Sequence, residues 1–298
     1  MLGDMSEYDV VIIGGGPAGL NAAQVLARAR RRVAVVDGGN PRNAPADGVH
    51  GFFTRDGVPP GELLAIGRSE VEGYGGEVVD GVVRRVRHDR TVELADGRQL
   101  AAKRLLVTTG LTDELPELPG VRELWAIDVH HCPYCHGWEV RDQRIGVLGT
   151  SPNSVHHAEL LREWSDDVVF FGHQNPPDAD GLARLSARGV KVVSGPVSRL
   201  VTAEHRLRGV ELTDGTVVER DAVFLAPKFV PKDRILTGLG CAHGEDGLVE
   251  VDGSGRTSVK WVWAAGNVVD LRAQVITAAG DGARAAVAMH ADLIGAGE

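Results

Sequence analysis

The sequence predicts an α/β fold with two domains, each built on a parallel sheet that opens with a strand, a tight turn and a helix. The chain has 298 residues, which is long enough for two domains. It is 43% hydrophobic and contains 39 glycines, a composition typical of α/β proteins with many strand-to-helix turns. Two segments, 8–37 and 144–171, repeat the order of apolar strand, small-residue turn, helix and strand.

The first of these segments carries a complete glycine pattern. Tyr8–Ile13 predicts a buried parallel strand, and the run Gly14-Gly15-Gly16-Pro17-Ala18-Gly19 follows it. The spacing of Leu20–Arg31 predicts a helix, and Val33–Val36 predicts a strand that ends on Asp37. In such a pattern the first glycine makes the turn, the second admits a pyrophosphate, and the third lets helix and strand pack closely. Asp37 is placed to accept a hydrogen bond from a ribose hydroxyl, so the segment predicts a Rossmann-like dinucleotide site.

The second segment repeats the order but loses the pattern. A strand ending at Gly149 continues into Thr150 and then Ser151, which stands where the middle glycine belongs. A Cβ at that position pushes the backbone away from a pyrophosphate, and Pro152 removes an amide donor. The strand 168–171 then ends without an acid for a ribose diol or arginines for a 2′-phosphate. We expect a Rossmann-like domain that has lost its nicotinamide nucleotide site; the alternative is NADPH binding through other loops.

Between the two segments lies Cys132-Pro133-Tyr134-Cys135-His136. A C-x-x-C-H run occurs in redox-active disulfides, in half zinc sites and at c-type haem attachment sites. His130 and His131 could complete a Cys2His2 set, but structural zinc sites draw their ligands from two separated segments. We therefore favour the redox-active disulfide and expect no metal site. The remaining cysteine, Cys241, is expected to be a small buried hydrophobe.

The composition and the N-terminal residues argue against nucleic-acid and membrane partners. The formal charge of −9 and a pI near 5.7 argue against a nucleic-acid partner. Met1–Asp9 is polar, and the apolar run Val10–Ile13 is too short for a signal sequence or a membrane span. We therefore expect a cytoplasmic protein with no membrane partner. Because the cytoplasm is reducing, two neighbouring cysteines there are typical of catalysis or metal binding rather than of a structural disulfide.

Three later blocks indicate which dinucleotide the first site binds. They are Leu105–Gly110, Trp261–Val268, and Gln274-Val275 with the helical stretch Thr277–Leu293 after it. They resemble the FAD domain of flavoproteins that have two dinucleotide-binding domains, in which a helix N-terminus stabilises negative charge on the reduced flavin. The resemblance implies FAD as cofactor. The FAD-binding residues it implies, with those of the glycine run, are Gly14, Gly16, Pro17, Ala18, Gly19, Asp37, Gly38, Arg42, Asn43, Thr109, Gly110, Gly266, Asn267, Gln274 and Val275.

Over essentially the whole chain, this order of motifs resembles the low-molecular-weight thioredoxin reductases. The resemblance implies a discontinuous FAD domain, 1–114 with 232–298, and an inserted NADPH-binding-like domain, 115–231, that carries the cysteine pair. It also implies a homodimer. Both crossings fall in segments with proline or glycine, which could bend.

Two departures indicate a narrower branch. Thioredoxin reductases have an acid after the second cysteine, where this chain has His136, and they keep the nicotinamide site that is degraded here. The run C-P-Y-C-H-G-W-E and the segment Asp37–Asn43 are similar to the dithiol oxidases that close disulfides in natural products such as holomycin and gliotoxin. Such enzymes pass electrons from a small-molecule dithiol through the cysteine pair and FAD to O2, which gives H2O2.

The resemblance also implies a division of roles at the site. Cys132 would exchange with the substrate, Cys135 would face the flavin, and His136 would act as acid and base, since an imidazole accepts a proton near neutral pH. His50, Phe52 and Tyr134 are candidates for substrate contact, and Trp138 is expected in the core. Two other functions stay open: an NADPH-dependent disulfide reductase of the thioredoxin type, and a flavin-bearing redox sensor.

Overall fold

The computed structural model describes residues 6–295, so the extreme ends of the expected FAD domain lie outside the described residues. In chain order the strands are β1 Ser6–Ile13, β2 Val33–Asp37, β3 Glu77–Asp80, β4 Val83–Val86, β5 Thr91–Leu94, β6 Gln99–Val107, β7 Leu111–Glu114, β8 Val129–His130, β9 Ile145–Leu148, β10 Val168–Phe171, β11 Lys191–Val193, β12 Val197–Ala203, β13 Arg206–Leu212, β14 Val217–Glu219, β15 Ala222–Phe224, β16 Lys228–Pro231 and β17 Val262–Ala264. The helices are α1 Pro17–Arg28, α2 Pro60–Gly73, α3 Pro133–His136, α4 Ser154–Leu161, α5 Ala179–Ala187, α6 Arg234–Gly238 and α7 Val275–Gly295.

The described chain divides into two units. Unit 1 comprises the described residues up to Ala44, then Phe52–Thr112, then the described residues from Phe229 onward. Unit 2 comprises Pro45–Gly51 and Asp113–Lys228. The sequence places the boundaries at 114/115 and 231/232, and these units change at 112/113 and 228/229. The sequence gives no sign that the short segment 45–51 belongs with unit 2.

Unit 1 is built on a seven-stranded sheet in the order β3-β2-β1-β6-β5-β4. β1, β2, β3 and β6 are parallel, β5 and β4 are antiparallel additions, and β17 pairs in parallel with the end of β6. Residues of β1 alternate between two cores. Val10 and Ile12 lie in the cluster that holds α1 and α7 residues, and Val11 and Ile13 lie in the cluster on the other face. Burial on both faces explains the continuous apolar run of this strand.

Helix α1 begins at Pro17 and ends at Arg28, three residues earlier at each end than the expected Leu20–Arg31. Proline suits the first helical position because it lacks the N–H that would have no partner there. Arg30 has φ +61°, which stops the helix before β2.

Unit 2 is built on a five-stranded parallel sheet in the order β11-β10-β9-β15-β8, with a separate antiparallel sheet of β12, β13 and β14. The four residues of β9 and the four of β10 are buried, as expected for inner parallel strands. The two crossing strands β7 and β16 pair with each other. These two units confirm the predicted α/β class with two Rossmann-like frames.

Candidate functional site

The turn after β1 is shaped by its glycines. Gly14 has φ +112°, and a Cβ there would collide with the carbonyl oxygen of Thr108. At Gly19 a Cβ would collide with the carbonyl oxygen of Gly14 and lie 2.7 Å from Thr108 Oγ1. Gly16 differs, because a Cβ there would meet nothing within 4 Å. Gly14 and Gly19 therefore close the turn onto the sheet, and Gly16 borders open space.

Helix α1 starts directly at this open position. Gly16 is its N-cap residue and Pro17 its first residue, and no side chain caps the helix. Ala18 is buried under α7, where a Cβ on Gly282 would collide with the Ala18 carbonyl. An uncapped helix N-terminus beside open space is suited to an anion such as a pyrophosphate.

Asp37 ends β2 next to the same turn. Its Oδ1 accepts hydrogen bonds from the backbone N–H groups of Gly15 (3.2 Å) and Gly39 (3.3 Å). Its Oδ2 forms an ion pair with Arg68 of α2, and Arg68 also donates to Asp80 Oδ1 at 2.9 Å. Arg68 was not predicted, since nothing in the glycine pattern identifies a helix residue about thirty positions later. The ion pair fixes the carboxylate that the sequence assigns to a ribose.

The other predicted FAD residues of unit 1 form two groups. Thr109 Oγ1 donates to the Lys232 carbonyl at 2.7 Å, and Gly110 takes the left-handed conformation, with φ +69°. Neighbouring Thr108, which was not predicted, donates its hydroxyl to the carbonyls of Ile13 (3.1 Å) and Gly14 (2.9 Å). This threonine ties the end of β6 to the glycine turn.

The second group joins the start of α7 to the chain after β2. Arg42 donates to Asn267 Oδ1 at 3.3 Å, and Asn267 Nδ2 donates to the carbonyls of Asp270 and Ala273, both at 2.9 Å. Gly266 has φ +72°, and a Cβ there would lie 3.1 Å from Ala18. The rest of the predicted set are exposed Gly38, half-buried Asn43, exposed Gln274 just before α7, and half-buried Val275 at its first position. The open position at Gly16 and the fixed carboxylate of Asp37 fit a dinucleotide.

The turn after β9 is closed. Gly149 makes the same backbone hydrogen bond as Gly14: the glycine N–H donates to the carbonyl at the end of the next strand, at 2.8 Å in both cases. The hydroxyl of Ser154 then accepts hydrogen bonds from the N–H groups of Thr150 (3.3 Å) and Ser151 (3.2 Å). Ser154 stands where the third glycine of the pattern would be, and α4 begins only at Ser154. Two amides of this turn are thus satisfied within the protein.

The strand after this turn ends without an acidic residue. Beyond β10, His173 takes φ +36°, and its Nδ1 accepts from the Val197 N–H at 3.1 Å. The carbonyl of Gly149 accepts the N–H groups of Gln174 and Asn175 at 3.1 and 2.8 Å. These bonds draw the loop onto the turn. Ser151 is apparent from the glycine pattern, but Ser154, which holds the closed turn together, was not predicted.

The cysteine pair of unit 2 forms a disulfide. Cys132 precedes α3 and Cys135 lies within it, with their Cα atoms 5.3 Å apart. The Cys132 carbonyl accepts the N–H groups of Cys135 and His136, both at 3.2 Å. Gly137 is packed tightly, because a Cβ there would lie 2.9 Å from the Trp164 ring. One short helical turn therefore fixes both sulfurs.

His136 is mostly buried beside this disulfide. Burial lowers the pKa of His136 below its ordinary value, and nearby His50 acts in the same direction. Glu139 and Asp47 oppose this because their negative charges favour the protonated ring. His50 Nε2 lies 3.4 Å from Glu139 Oε1, so the segment 45–51 brings a histidine to the cysteine unit. At neutral pH the His136 ring is neutral and able to accept a proton.

His130 packs against His136. The two rings are stacked, with centroids 4.6 Å apart and planes 24° apart. His130 is 5% exposed, and burial first, then the charge of His136, lowers its pKa to about 3. From the sequence, His130 is a candidate only for a zinc ligand. Its place beside His136 was not predicted.

Two aromatic residues near the cysteines are exposed. Trp138 is 65% exposed, which corrects its expected place in the core; the Arg141 guanidinium lies 4.1 Å from its ring centroid and covers one face. Tyr134 is 66% exposed and meets Trp164 edge-on at 5.8 Å. Of the other substrate candidates, His50 belongs to unit 2 and half-buried Phe52 to unit 1.

Comparison with known proteins identifies the family. The family model of the pyridine nucleotide-disulphide oxidoreductases matches residues 8–283. The chain belongs to this family. Among solved structures, the crystal structure of HlmI superposes with a TM-score of 0.93 at 53% identity and covers 99% of this chain and 94% of that one. Thioredoxin reductase tcpT of Claviceps purpurea is 30% identical over 275 residues, which is 87% of this chain and 86% of that protein.

Another member of the oxidoreductase family, the probable thioredoxin reductase of Arthroderma benhamiae, is 30% identical over 197 residues. The match covers 63% of this chain and about half of that protein, 49%. These relatives confirm the predicted thioredoxin reductase-like fold and the assignment as an oxidoreductase.

Three further observations concern the rest of this oxidoreductase. Cys241 is 5% exposed, which confirms the expected burial, and burial raises the pKa of its thiol. Within residues 6–295, no group of three or more His, Cys, Asp or Glu side chains is arranged to hold a metal ion. No helix in the same range is both long and apolar enough to cross a membrane.

Proposed function

We propose that this protein is an FAD-dependent dithiol oxidase that closes an intramolecular disulfide in a small-molecule dithiol, with O2 as terminal acceptor. The observation that carries the proposal is the contrast between the two turns. The turn at Gly14–Gly19 has open space at Gly16 that suits a dinucleotide. In the turn at Gly149–Ser154, two backbone N–H groups already donate to the Ser154 hydroxyl. An oxidoreductase with a disulfide, a fitting FAD turn and a closed nicotinamide turn is better suited to accept electrons from a thiol than from NADPH.

The residues that would hold FAD are those of the open turn and its surroundings. The helix α1 N-terminus at Gly16 would bind the pyrophosphate, and Asp37 would accept from the adenosine ribose. The first turn of α7, after Gln274, would approach the flavin by analogy with the family. When bound, FAD would supply a two-electron acceptor that O2 can reoxidise.

The cysteine pair carries out the exchange with the substrate. A substrate thiolate attacks Cys132 sulfur, a substrate–Cys132 disulfide forms, and Cys135 leaves as a thiolate. The second substrate thiolate attacks the substrate sulfur of that mixed disulfide, the product disulfide forms, and Cys132 leaves as a thiolate. The substrate loses two electrons and two protons, and the protein disulfide gains the electrons. Overall, one dithiol and one O2 give one disulfide and one H2O2.

His136 would handle the protons of this exchange. A thiol with an ordinary pKa near 8.5 is mostly protonated at neutral pH, and only the thiolate attacks a disulfide. The lowered pKa of His136 leaves its ring neutral and ready to take that proton. Its neighbours Glu139 and Asp47 stabilise the imidazolium that forms.

Oxygen consumption in the presence of a small dithiol tests this function. The FAD-loaded protein, given dithiothreitol or 1,4-butanedithiol in air, should consume O2 and form H2O2 in equal amounts to the dithiol oxidised. Cys132→Ser and Cys135→Ser should each lower turnover by at least about 1000-fold, because each removes one half of the exchange. Cys241→Ala is the matched control and should keep the wild-type rate. Absence of O2 consumption with both dithiols would contradict the proposal.

A second candidate is an NADPH-dependent disulfide reductase of the thioredoxin type. Two of the relatives are named thioredoxin reductases, which favours it. This function requires NADPH to reduce the flavin rapidly, through loops other than the turn at Gly149–Ser154. Rapid anaerobic reduction by NADPH would support it over the oxidase.

A further inference from the structure

Two aromatic side chains are exposed in unit 2, which the structure describes in full, and both belong to the disulfide turn. Tyr134 lies between the two cysteines, and Trp138 follows Cys135 by three residues. Each is about two-thirds exposed. The phenylalanines of the same unit are fully buried: Phe170, Phe171 and Phe224. Exposed aromatic surface in unit 2 is therefore concentrated beside the sulfurs that exchange with the substrate.

Helical geometry brings the two rings to one side of this turn. Tyr134 belongs to α3, and Gly137 after it keeps right-handed helical angles, φ −64° and ψ −32°. Residues three and four positions apart are neighbours on a helical surface, with Cβ atoms about 5–6 Å apart. Trp138 is therefore next to Tyr134, four positions earlier, and next to Cys135, three positions earlier.

Both rings are held by neighbours that leave much of their surface open. Trp164 meets Tyr134 edge-on, with ring centroids 5.8 Å apart, and its ring also lies against Gly137. The Arg141 guanidinium lies 4.1 Å from the Trp138 ring centroid, and Arg141 Nη1 donates to the Trp138 carbonyl at 2.7 Å. Side chains that are held before a ligand arrives lose less freedom when it binds.

The exposed aromatic area suits a small ring better than a protein partner. An aromatic side chain presents about 150–250 Å², so two rings that are two-thirds exposed offer no more than about 350 Å². A stable protein partner buries about 800 Å² on each side. The other large apolar side chains that unit 2 exposes lie outside this turn: Ile127, Leu182 and Val217. One flat ring, stacked or edge-on, matches both the area and the preferred geometry of aromatic pairs.

We propose that Tyr134 and Trp138 form an aromatic platform that binds a flat ring of the substrate, and that the substrate class is a dithiol carried on such a ring. Because the platform adjoins Cys135 on the same turn, binding of the ring holds the substrate thiols near the disulfide. The exchange itself is unchanged, since no bond to Tyr134 or Trp138 forms or breaks. The inference rests on the proposed function and adds to it the residues that select the substrate.

Two dithiols that differ in a ring test the platform. Both 1,2-bis(mercaptomethyl)benzene and 1,4-butanedithiol have four carbons between their sulfurs, and both close a six-membered cyclic disulfide. In Trp138→Leu, kcat/KM of O2 consumption with the ring dithiol should fall about fivefold, about 1 kcal/mol, through a higher KM. With butanedithiol it should change less than about twofold. Each ratio compares variant with wild type for one dithiol, so the different reactivities of benzylic and alkyl thiols cancel.

Tyr134→Leu should show the same selective loss, about threefold, because it removes the second ring of the platform. Tyr74→Leu is the matched control. Tyr74 is also an exposed aromatic residue beside an arginine, with the Arg28 guanidinium 5.2 Å from its ring centroid, but it lies at the end of α2 in unit 1. It should leave both dithiols at the wild-type kcat/KM. Equal losses with the two dithiols in Trp138→Leu, or no loss with either, would overturn the inference.

Binding of an unreactive analogue separates the platform from the proposed function. In 1,2-benzenedimethanol hydroxyls replace both thiols; saturation-transfer NMR should detect its binding to the wild-type protein, and the signal should fall at least about twofold in Trp138→Leu. If dithiols do not reduce the wild-type protein, the proposed function fails, and this binding still decides the platform. Loss of thioredoxin reduction in Trp138→Leu, with turnover of the ring dithiol intact, would assign the two rings to a protein partner and overturn the inference.

Discussion

The two strand–turn–helix frames begin alike and diverge within the turn. Gly19 and Ser154 occupy the same place in the pattern, five residues after the turn's first glycine. Without a side chain, Gly19 lets α1 start at Pro17 and meet the sheet at Thr108. The hydroxyl of Ser154 accepts hydrogen bonds from its own turn, and helix α4 begins only at Ser154. A parallel sheet therefore keeps its fold when its phosphate turn is lost, because the fold depends on the buried strands and the ligand depends on free amides.

The largest effect is expected from giving the first turn the side chain of the second. In Gly19→Ser the new Cβ meets the Gly14 carbonyl, so the turn must open and the amides move. FAD affinity should fall at least about 100-fold, about 2.7 kcal/mol, measured by titrating apoprotein with FAD. Gly61→Ser on α2, where a Cβ meets nothing within 4 Å, should bind FAD normally. Normal FAD affinity in Gly19→Ser would break the comparison.

The stability of unit 2 should depend on buried Asp128 and its ion pair with Arg206 rather than on the turn at 149–154. Asp128 is 3% exposed; burial raises the pKa of its carboxyl, but hydrogen bonds from Arg206 and Leu207 outweigh burial and lower that pKa. Asp128→Asn should cost about 2 kcal/mol of unfolding free energy at pH 7, measured by urea denaturation. Exposed Asp166, paired with Arg162, provides a control: Asp166→Asn should change little.

The same pair predicts a pH dependence. A carboxyl with a lowered folded-state pKa stabilises the protein above its unfolded pKa of about 3.9, and this stabilisation is lost as pH falls through the folded value. The stability gap between wild type and Asp128→Asn should be full above about pH 5 and should shrink toward about pH 3. A gap that grows on acidification would contradict the pairing.

A smaller effect is expected where Arg68 fixes Asp37. Arg68→Met removes the ion pair and leaves the carboxylate held by two backbone N–H groups. FAD affinity should fall about tenfold, about 1.4 kcal/mol, with the protein still folded. Arg85→Met removes an exposed pair with Glu93 at 2.7 Å on β4 and should leave FAD affinity unchanged. Equal losses in both variants would mean that the effect is a general change in charge.

The smallest effect is expected in the closed turn. Ser154→Ala frees the Thr150 and Ser151 amides but keeps the Cβ, so it should cost about 1 kcal/mol of stability. Reduction by NADPH should not accelerate, because Ser151, Pro152 and the missing ribose acid remain. Ser186→Ala, at an exposed position of α5, should be as stable as wild type. Rapid reduction by NADPH in Ser154→Ala would show that the hydroxyl alone closes the site.

Local patterns made the α/β class and both frames predictable. Buried strands such as Val168–Phe171 and the turn at Gly14–Gly19 depend on residues adjacent in sequence, and these were predicted within a few residues. The long-range partners were not predictable. Arg68 meets Asp37 from a separate helix, and His50 reaches Glu139 only because the segment 45–51 packs with unit 2.

The surroundings of His130, beside the disulfide, were also not predictable from the sequence. Its neighbours in sequence suggested a metal ligand, and only the sheet register places its ring against His136 and Phe224. Trp138 was expected in the core, yet it is exposed, and the only ring contact described for it is with the guanidinium of Arg141, three residues later. Side-chain surroundings of this kind follow from tertiary packing and carry no signature in spacing.

Anaerobic reduction of the bound flavin, followed side by side with a dithiol and with NADPH, tests the central claim most directly. An open FAD turn and a closed nicotinamide turn predict that dithiothreitol bleaches the yellow protein rapidly. NADPH at the same concentration should be at least about 100-fold slower, a difference of about 2.7 kcal/mol in activation free energy. Admission of air should restore the colour with formation of H2O2. Bleaching by micromolar NADPH as fast as by the dithiol would contradict the account and establish a reductase.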